Sequence, residues 1–167
     1  MTRGSKATSP RQKKRPKASS PDALRRMQRA KRRDTGCELA IRSAVHRMGL
    51  LFRVDWKLPD IRRRADLAFV SAKVAVFVDG CFWHVCPIHA TWPRANAHWW
   101  KQKLEGNRVR DRDTDSCLKA QGWMVLRFWE HEESSKAATK IARVVLRRKQ
   151  STKPVSRPIA HRQAPKA

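Results

Sequence analysis

The sequence predicts an α/β protein, a small α/β/α sandwich around a central mixed sheet. Three observations carry that expectation. A chain of 167 residues with 40% apolar content suits one domain with its own core. Its periodic segments run helix, three strands, long helix, strand, helix, an order that lays helices on a sheet. A tight turn at Ser71-Ala72-Lys73 makes the second and third strands hairpin partners.

The elements follow in order. Pro21 to Met27 begins a short helix in a basic stretch. Thr35-Gly36-Cys37-Glu38 is a capping-box pattern, with Thr at the N-cap and Glu three residues on. The helix it opens continues through Leu39, Ile41, Ala44, Val45 and Met48 and stops near Gly49. Strands are expected over 51–54, 65–70 and 73–78, with the basic turn Arg62-Arg63-Arg64 between the first two. A loop over 80–95 then leads to Asn96, the expected cap of a long helix over 98–121 that Gly122 terminates. The fourth strand is expected over 123–129, and Ser134 or Ser135 caps a last helix reaching about Arg148.

Charge divides the chain differently. There are 39 Lys+Arg against 14 Asp+Glu, a net charge of +25. Residues 1–33 hold 13 of the bases and one acid, Asp22, and residues 147–167 hold 7 bases and no acid. A mildly basic domain over 21–148 is therefore expected between disordered basic arms over 1–20 and 149–167. The balance points to a polyanion, most often nucleic acid, and the arms would add sequence-independent phosphate attraction. A merely solvated or ribosomal-type basic surface is the plainer alternative. No apolar stretch is long enough to span a membrane, and no signal-peptide core follows the N-terminus. An intracellular, reducing compartment is expected, where clustered Cys favour metal over disulfide.

Three constellations carry chemistry. Cys81, Cys86 and His89 stand close together in one loop, with His131 distant in sequence. Thiolates and imidazoles of this kind suit tetrahedral Zn²⁺, and four protein ligands would make the site structural. His84 and His98 are alternatives for the fourth position, and buried thiols with exposed histidines are the plainer reading. The second constellation is acidic. Asp66 lies inside an apolar strand, where an unpartnered carboxylate is costly. Mg²⁺ takes hard oxygens from one or two carboxylates plus substrate phosphate, so Asp66 is a candidate ligand, with Asp79 at the end of the third strand and Glu38 at the first helix nearby. A salt bridge from Asp66 to Arg62–Arg64, and the capping box for Glu38, are the structural alternatives. The third is the long helix, where Lys103, Asn107 and Asp111 share one face. Lys and Asn can donate to bases or phosphates, and the Asp can orient a histidine. Phe82-Trp83-His84 sets two aromatics, able to wedge between base steps or to fill a core, beside an imidazole able to act as a general base.

Together these residues resemble the very short patch repair (Vsr) mismatch endonuclease family over roughly residues 24–132. The likeness is carried by Gly80-Cys81-Phe82-Trp83-His84 after a strand, Met27, Arg33-Asp34-Thr35 with Glu38, and Pro59 with Asp66. It continues through Trp92-Pro93, Trp100, Lys103, Asn107, Arg110-Asp111-Arg112, Gly122-Trp123 and Trp129-Glu130. Several separated motifs in one order are more specific than any single match. The resemblance implies a restriction-endonuclease-like fold and a DNA endonuclease that nicks on the 5′ side of the T in a T·G mismatch. It implies Mg²⁺ on Asp66 and the main-chain carbonyl of Val78, His84 as the base with Asp111 positioning it, and Glu38 holding metal-bound water. Met27, Phe82 and Trp83 would intercalate, Lys103 and Asn107 would read the mispaired bases, and Cys81, Cys86, His89 and His131 would hold structural Zn²⁺. Val78-Asp79 departs from the Thr-His of the best-known members, which makes Asp79 a candidate extra Mg²⁺ ligand. The zinc positions interchange thiolate and imidazole, which zinc accepts. A monomer on double-stranded DNA in the bacterial cytoplasm, associated with the nucleoid, is expected, and recruitment of downstream repair proteins is left open. The competing expectations are a zinc-stabilised DNA-binding protein without activity, and a nuclease of this fold with another DNA target.

Overall fold

A computed structural model of the chain describes residues 16–29, 31 and 33–151. Most of the basic arms expected over 1–20 and 149–167, namely residues 1–15 and 152–167, lies outside the described residues. The elements run α1 (Pro21–Arg29), α2 (Gly36–Arg47), β1 (Arg53–Lys57), β2 (Arg64–Phe69), a 3-10 turn (Val70–Ala72), β3 (Val74–Asp79), α3 (Ala97–Ala120), β4 (Met124–Trp129) and α4 (Ser134–Ser151).

The four strands form one mixed sheet in the order β1-β2-β3-β4. β1 and β2 pair antiparallel, as do β2 and β3, with Leu67 opposite Val76. Lys73 takes a left-handed φ of 48° to close that hairpin. β3 and β4 are parallel, from Val74 opposite Met124 to Asp79 opposite Trp129. Parallel neighbours need a crossover, and the long loop with α3 supplies it.

Period-2 alternation splits the buried residues between two faces. On one, Leu67, Phe69, Val74, Val76, Leu126 and Phe128 pack with Ile41 and Val45 of α2 and Ala138, Ile141 and Val145 of α4. On the other, Ala75 and Phe77 pack with Leu118 of α3, Trp123 and Leu58. Helices therefore cover both faces of the sheet.

The helix ends follow their glycines. Gly122 (φ 79°) donates to Lys119 O and Trp123 to Leu118 O, and the side chains of Trp123 and Leu118 share a core cluster. Gly49 (φ 73°) ends α2 in the same way, returning Leu50 to the core beside Val45. Thr35 caps α2 as its sequence predicts, its Oγ1 accepting from Glu38 N. The reciprocal Glu38 bond goes to Asp34 N, one residue before the cap.

Three expectations need correction. β1 begins at Arg53, two residues after the apolar Leu51, which is 80% exposed. Pairing with β2 sets this strand, not its local hydrophobicity. Asn96 stands at the N-cap of α3 but does not cap it. Its backbone is left-handed and its amide donates to Lys17 O at 3.4 Å. α4 runs to Ser151, past the expected boundary at 148. Arg148, in its last turn, anchors it to the sheet side, donating to Ala72 O and Gly122 O at 2.7 Å each.

Ile141 is fully buried and Leu146, on the same helix, is half exposed. Ile141→Ala is expected to lower the unfolding free energy in urea by about 2–5 kcal/mol, and Leu146→Ala by under about 1 kcal/mol.

Candidate active site and loop cluster

One cleft, of about 240 Å³, collects the charged residues of five elements. Its lining includes Glu38 of α2, Asp66 of β2, Val78 and Asp79 of β3, His84 of the following loop, Asp111 of α3 and Arg127 of β4. Six of these were singled out from the sequence. Arg127 was not, nor was Thr114, and Arg110, which also lines the cleft, entered only within the motif Arg110-Asp111-Arg112. Arg127 carries the same signal as Asp66, a charge inside an apolar strand, and burial cost alone points to it.

Asp66 is tied to the neighbouring strand, its Oδ2 accepting from Val78 N at 2.7 Å. Two of the three arginines that offer a structural role are engaged elsewhere. Arg63 bonds Thr114 and Asp113, and Arg64 bonds Asp55. Burial first, then the charges of Glu38 and Asp79, push the Asp66 carboxyl up to about 6 against the opposing pull of the Val78 bond and Arg42. Asp66 itself shows no ion pair among the described residues, and a buried carboxylate in that state is what a hard divalent cation relieves, so Asp66 fits a Mg²⁺ ligand.

The other acids are already partnered. Glu38, 5% exposed, accepts from Asp34 N, Thr35 Oγ1 and Arg42 Nη2. Asp79, 6% exposed, receives Arg127 Nη1 on both oxygens at 2.7 and 2.9 Å. Burial still holds the Asp79 carboxyl above its ordinary range, against the opposing pull of Arg127.

His84 Nδ1 bonds Asp111 Oδ2 at 2.6 Å and stands 3.5 Å from Asp79 Oδ1. Burial would lower the imidazole, but the Asp111 bond and the Asp79 charge outweigh it and raise it above its usual value. Burial alone would raise Asp111, yet its bond to His84 holds it below the usual carboxylate range. With Nδ1 committed to a carboxylate, Nε2 is the nitrogen left for proton transfer.

The loop after β3 is fastened at several points. Asn107 is buried, donating to Trp83 O at 2.9 Å and accepting from Arg110 at 2.8 Å. Glu130 accepts from Cys81 N at 2.6 Å. Cys81, Cys86, His89 and His131 bring one donor atom each to within 4.8 Å of one another. Neither His84 nor His98 joins this group. The sulfur–nitrogen distances are 3.1 to 3.9 Å and the two Nδ1 atoms are 3.2 Å apart. A tetrahedron with zinc bonds of about 2.0–2.3 Å has edges of about 3.3–3.8 Å; these separations straddle that range to within about 0.2 Å, so small shifts would let the donor set close on Zn²⁺. Burial and the adjacent Cys86 push the Cys81 thiol up to about 11, so thiolates here call for a cation.

Beside the cleft, Phe82, Trp83 and Trp100 form a ring cluster with centroids 5.1 to 5.9 Å apart, and Trp99 extends it. Trp83 is 37% exposed. Lys103 is half-buried one turn before Asn107, while Met27 is half-buried on α1 and does not line the cleft.

Comparison with known proteins adds a second line of argument. The family model described as DNA mismatch endonuclease Vsr matches residues 20–89. The chain is 43% identical over 120 residues to the type II nicking enzyme V.NaeI of Lentzea aerocolonigenes, covering 70% of this chain and 72% of that one. It is 37% identical over 114 residues to the type II nicking enzyme V.XorIIP of Xanthomonas oryzae pv. oryzae, covering 67% and 82%. The DNA mismatch endonuclease Vsr of Escherichia coli K12 is 37% identical over 101 residues, covering 59% and 62%.

The raised Asp66 carboxyl has a stability consequence with a definite sign. The folded state holds this proton more tightly than the unfolded chain, so its penalty is absent below about pH 4 and fully developed above about pH 6. In chelator-treated protein, Asp66→Asn should therefore raise the unfolding free energy at pH 7.5 by on the order of 2–3 kcal/mol, and by less at pH 5. Urea titrations at both pH values measure it. An Asn variant less stable than the parent at pH 7.5 would contradict the assignment of buried, uncompensated charge.

Proposed function

Because the chain belongs to the Vsr family of DNA mismatch endonucleases, we propose that its acidic cleft nicks duplex DNA on the 5′ side of the T of a T·G mismatch, with Mg²⁺ as cofactor. That the chain is a DNA endonuclease follows from the family and its nicking-enzyme relatives. The observation that best supports the finer reading is the convergence of Asp66, Val78 and the His84–Asp111 pair in one cleft beside the exposed ring of Trp83. A restriction-endonuclease-like arrangement of the sheet is part of the same reading.

Asp66 and the Val78 carbonyl would hold Mg²⁺, which supplies Lewis-acid stabilisation of charge on the scissile phosphate. His84 Nε2 takes the proton of the attacking water, while Asp111 keeps the other nitrogen protonated and the ring in place. The water oxygen forms a new bond to phosphorus as one ester P–O bond of the link breaks. Glu38 walls the cleft, and its place is to orient water. Arg63, Arg64 and Arg110, also on the wall, offer charge to flanking phosphates.

Phe82 and Trp83, with Met27 from α1, are assigned to the mismatch as wedges. A mispaired step is weakly stacked and costs least to open, which favours it over paired DNA. Lys103 is the residue assigned to read the mispair. Asn107, buried and bonded to Trp83 and Arg110, is assigned to holding the wedge loop instead. Asp79, with both oxygens on Arg127, is assigned to that ion pair and not to Mg²⁺. Zn²⁺ on Cys81, Cys86, His89 and His131 would fasten the same loop from its far side. The protein acts as a monomer in this reading.

Two experiments test it. On otherwise identical duplexes, Mg²⁺-dependent nicking is expected at T·G and at least about 100-fold slower at T·A, with His84→Ala reducing the rate about 10²–10⁴-fold and Asp66→Ala more. Equal cutting of both duplexes would replace the mismatch with another target. Mismatch binding without nicking in Mg²⁺ would remove the mechanism. Elemental analysis should find one zinc per chain, and Cys86→Ser should lose it together with several degrees of melting temperature. Purified active protein free of zinc would refute the loop assignment.

A further inference from the structure

We propose that Arg127 is a positioning residue for nicking, clamping the two carboxylates that flank His84 so that the imidazole can take only one orientation. The proposal rests on the reading of His84 as the base. Its observation is a closed circuit of contacts. Arg127 Nη1 bonds both oxygens of Asp79 at 2.7 and 2.9 Å, and Nη2 lies 3.6 Å from Asp111 Oδ1. Asp111 turns its other oxygen to His84 Nδ1 at 2.6 Å, and the same nitrogen stands 3.5 Å from Asp79. Nε of Arg127 bonds Asp115 at 3.0 Å, and the guanidinium lies 4.6 Å from the centroid of the Phe77 ring. All three guanidinium nitrogens are thus directed at acids, and an aromatic ring supports the plane.

The fold builds this clamp from three directions. Arg127 stands opposite Phe77 in the parallel pairing of β3 and β4, and Asp79 lies two residues further along β3. Asp111 and Asp115 are one turn apart on α3, so both reach the same side of Arg127. Only a planar fork can hold acids from a strand and a helix at once. Removing it leaves Asp79 buried without its cation, free to compete with Asp111 for the Nδ1 proton. The ring would then divide its time between two carboxylates, and Nε2 would lose its aim at the attacking water. Small misplacements of this kind are expensive in rate.

The experiment is a mutant cycle read as single-turnover nicking rate and duplex affinity. Arg127→Met should lower the rate about 10–100-fold and change affinity less than about 3-fold, with Arg127→Lys recovering part of the rate. In a His84→Ala background the same substitution should cost less than about 2-fold, because Arg127 acts only through that ring. The double variant Arg127→Met, Asp79→Asn removes the pair without stranding a charge, so it tests the proposal if the single variant unfolds. It should fold, by melting temperature, and nick within about 10-fold of the parent, because no second carboxylate is left to draw the Nδ1 proton; a folded double variant slower than that would overturn the clamp. A rate loss in the His84→Ala background as large as in the parent, or a loss confined to affinity, would overturn the clamp and assign Arg127 to DNA. If His84→Ala itself nicks normally, the reading of the base fails first, and the clamp with it.

Discussion

Charge held in a low-dielectric sheet is the constraint that the rest of this molecule answers. β2, β3 and β4 carry ionisable residues into the cleft, Asp66, Asp79 and Arg127 among them. Burying a carboxylate without compensation costs several kcal/mol, so each must find a partner. Asp79 and Arg127 satisfy each other across the parallel pair. Glu38 is met by Arg42 and by the amide at the start of α2. Asp66 receives one backbone amide and stays uncomfortable, with its carboxyl pushed up to about 6 by burial. The unrelieved acid is the one assigned to the metal, and the relieved ones are assigned to support. Instability stored at a functional group and offset elsewhere is a familiar economy of enzymes.

The loop after β3 is the second part of that arrangement. It carries the ring cluster and the assigned base within three residues, Phe82, Trp83 and His84, and a free loop could not aim them. α3 holds it along one face, through Asn107 to the Trp83 carbonyl and Asp111 to the His84 ring. Glu130 and the thiol–imidazole group hold it from the β4 end. The wedge and the proton acceptor are therefore fixed by the same framework. Opening a base step and attacking a phosphate nearby become one geometric event in this reading.

Much of this was legible in the linear chain. Every helix and strand that the pattern announces is present, because period and terminating glycines act locally, as at Gly49 and Gly122. Asp66, His84 and the Cys/His group were visible as residue types that apolar strands and long loops do not carry idly. The apolar pattern starts β1 at Leu51, two residues early, because pairing with β2 and not local hydrophobicity sets where the strand begins. Asn96 has the residue type of a cap, but it bonds the chain near Lys17 instead.

The sequence by itself determined the class of protein, an α/β domain with strand-end acids and a loop crowded with metal-binding side chains, since each of these is a matter of local period and composition. Only the tertiary structure decided how those groups are divided. His131 joins the loop cysteines from fifty residues away, and Arg127 takes Asp79 from a strand that precedes it by forty-eight. Asn107, which the chain presents as a base reader, turns inward to a loop carbonyl. Such pairings depend on strand order and on the crossover through α3, and distance along a chain says nothing about distance across a sheet.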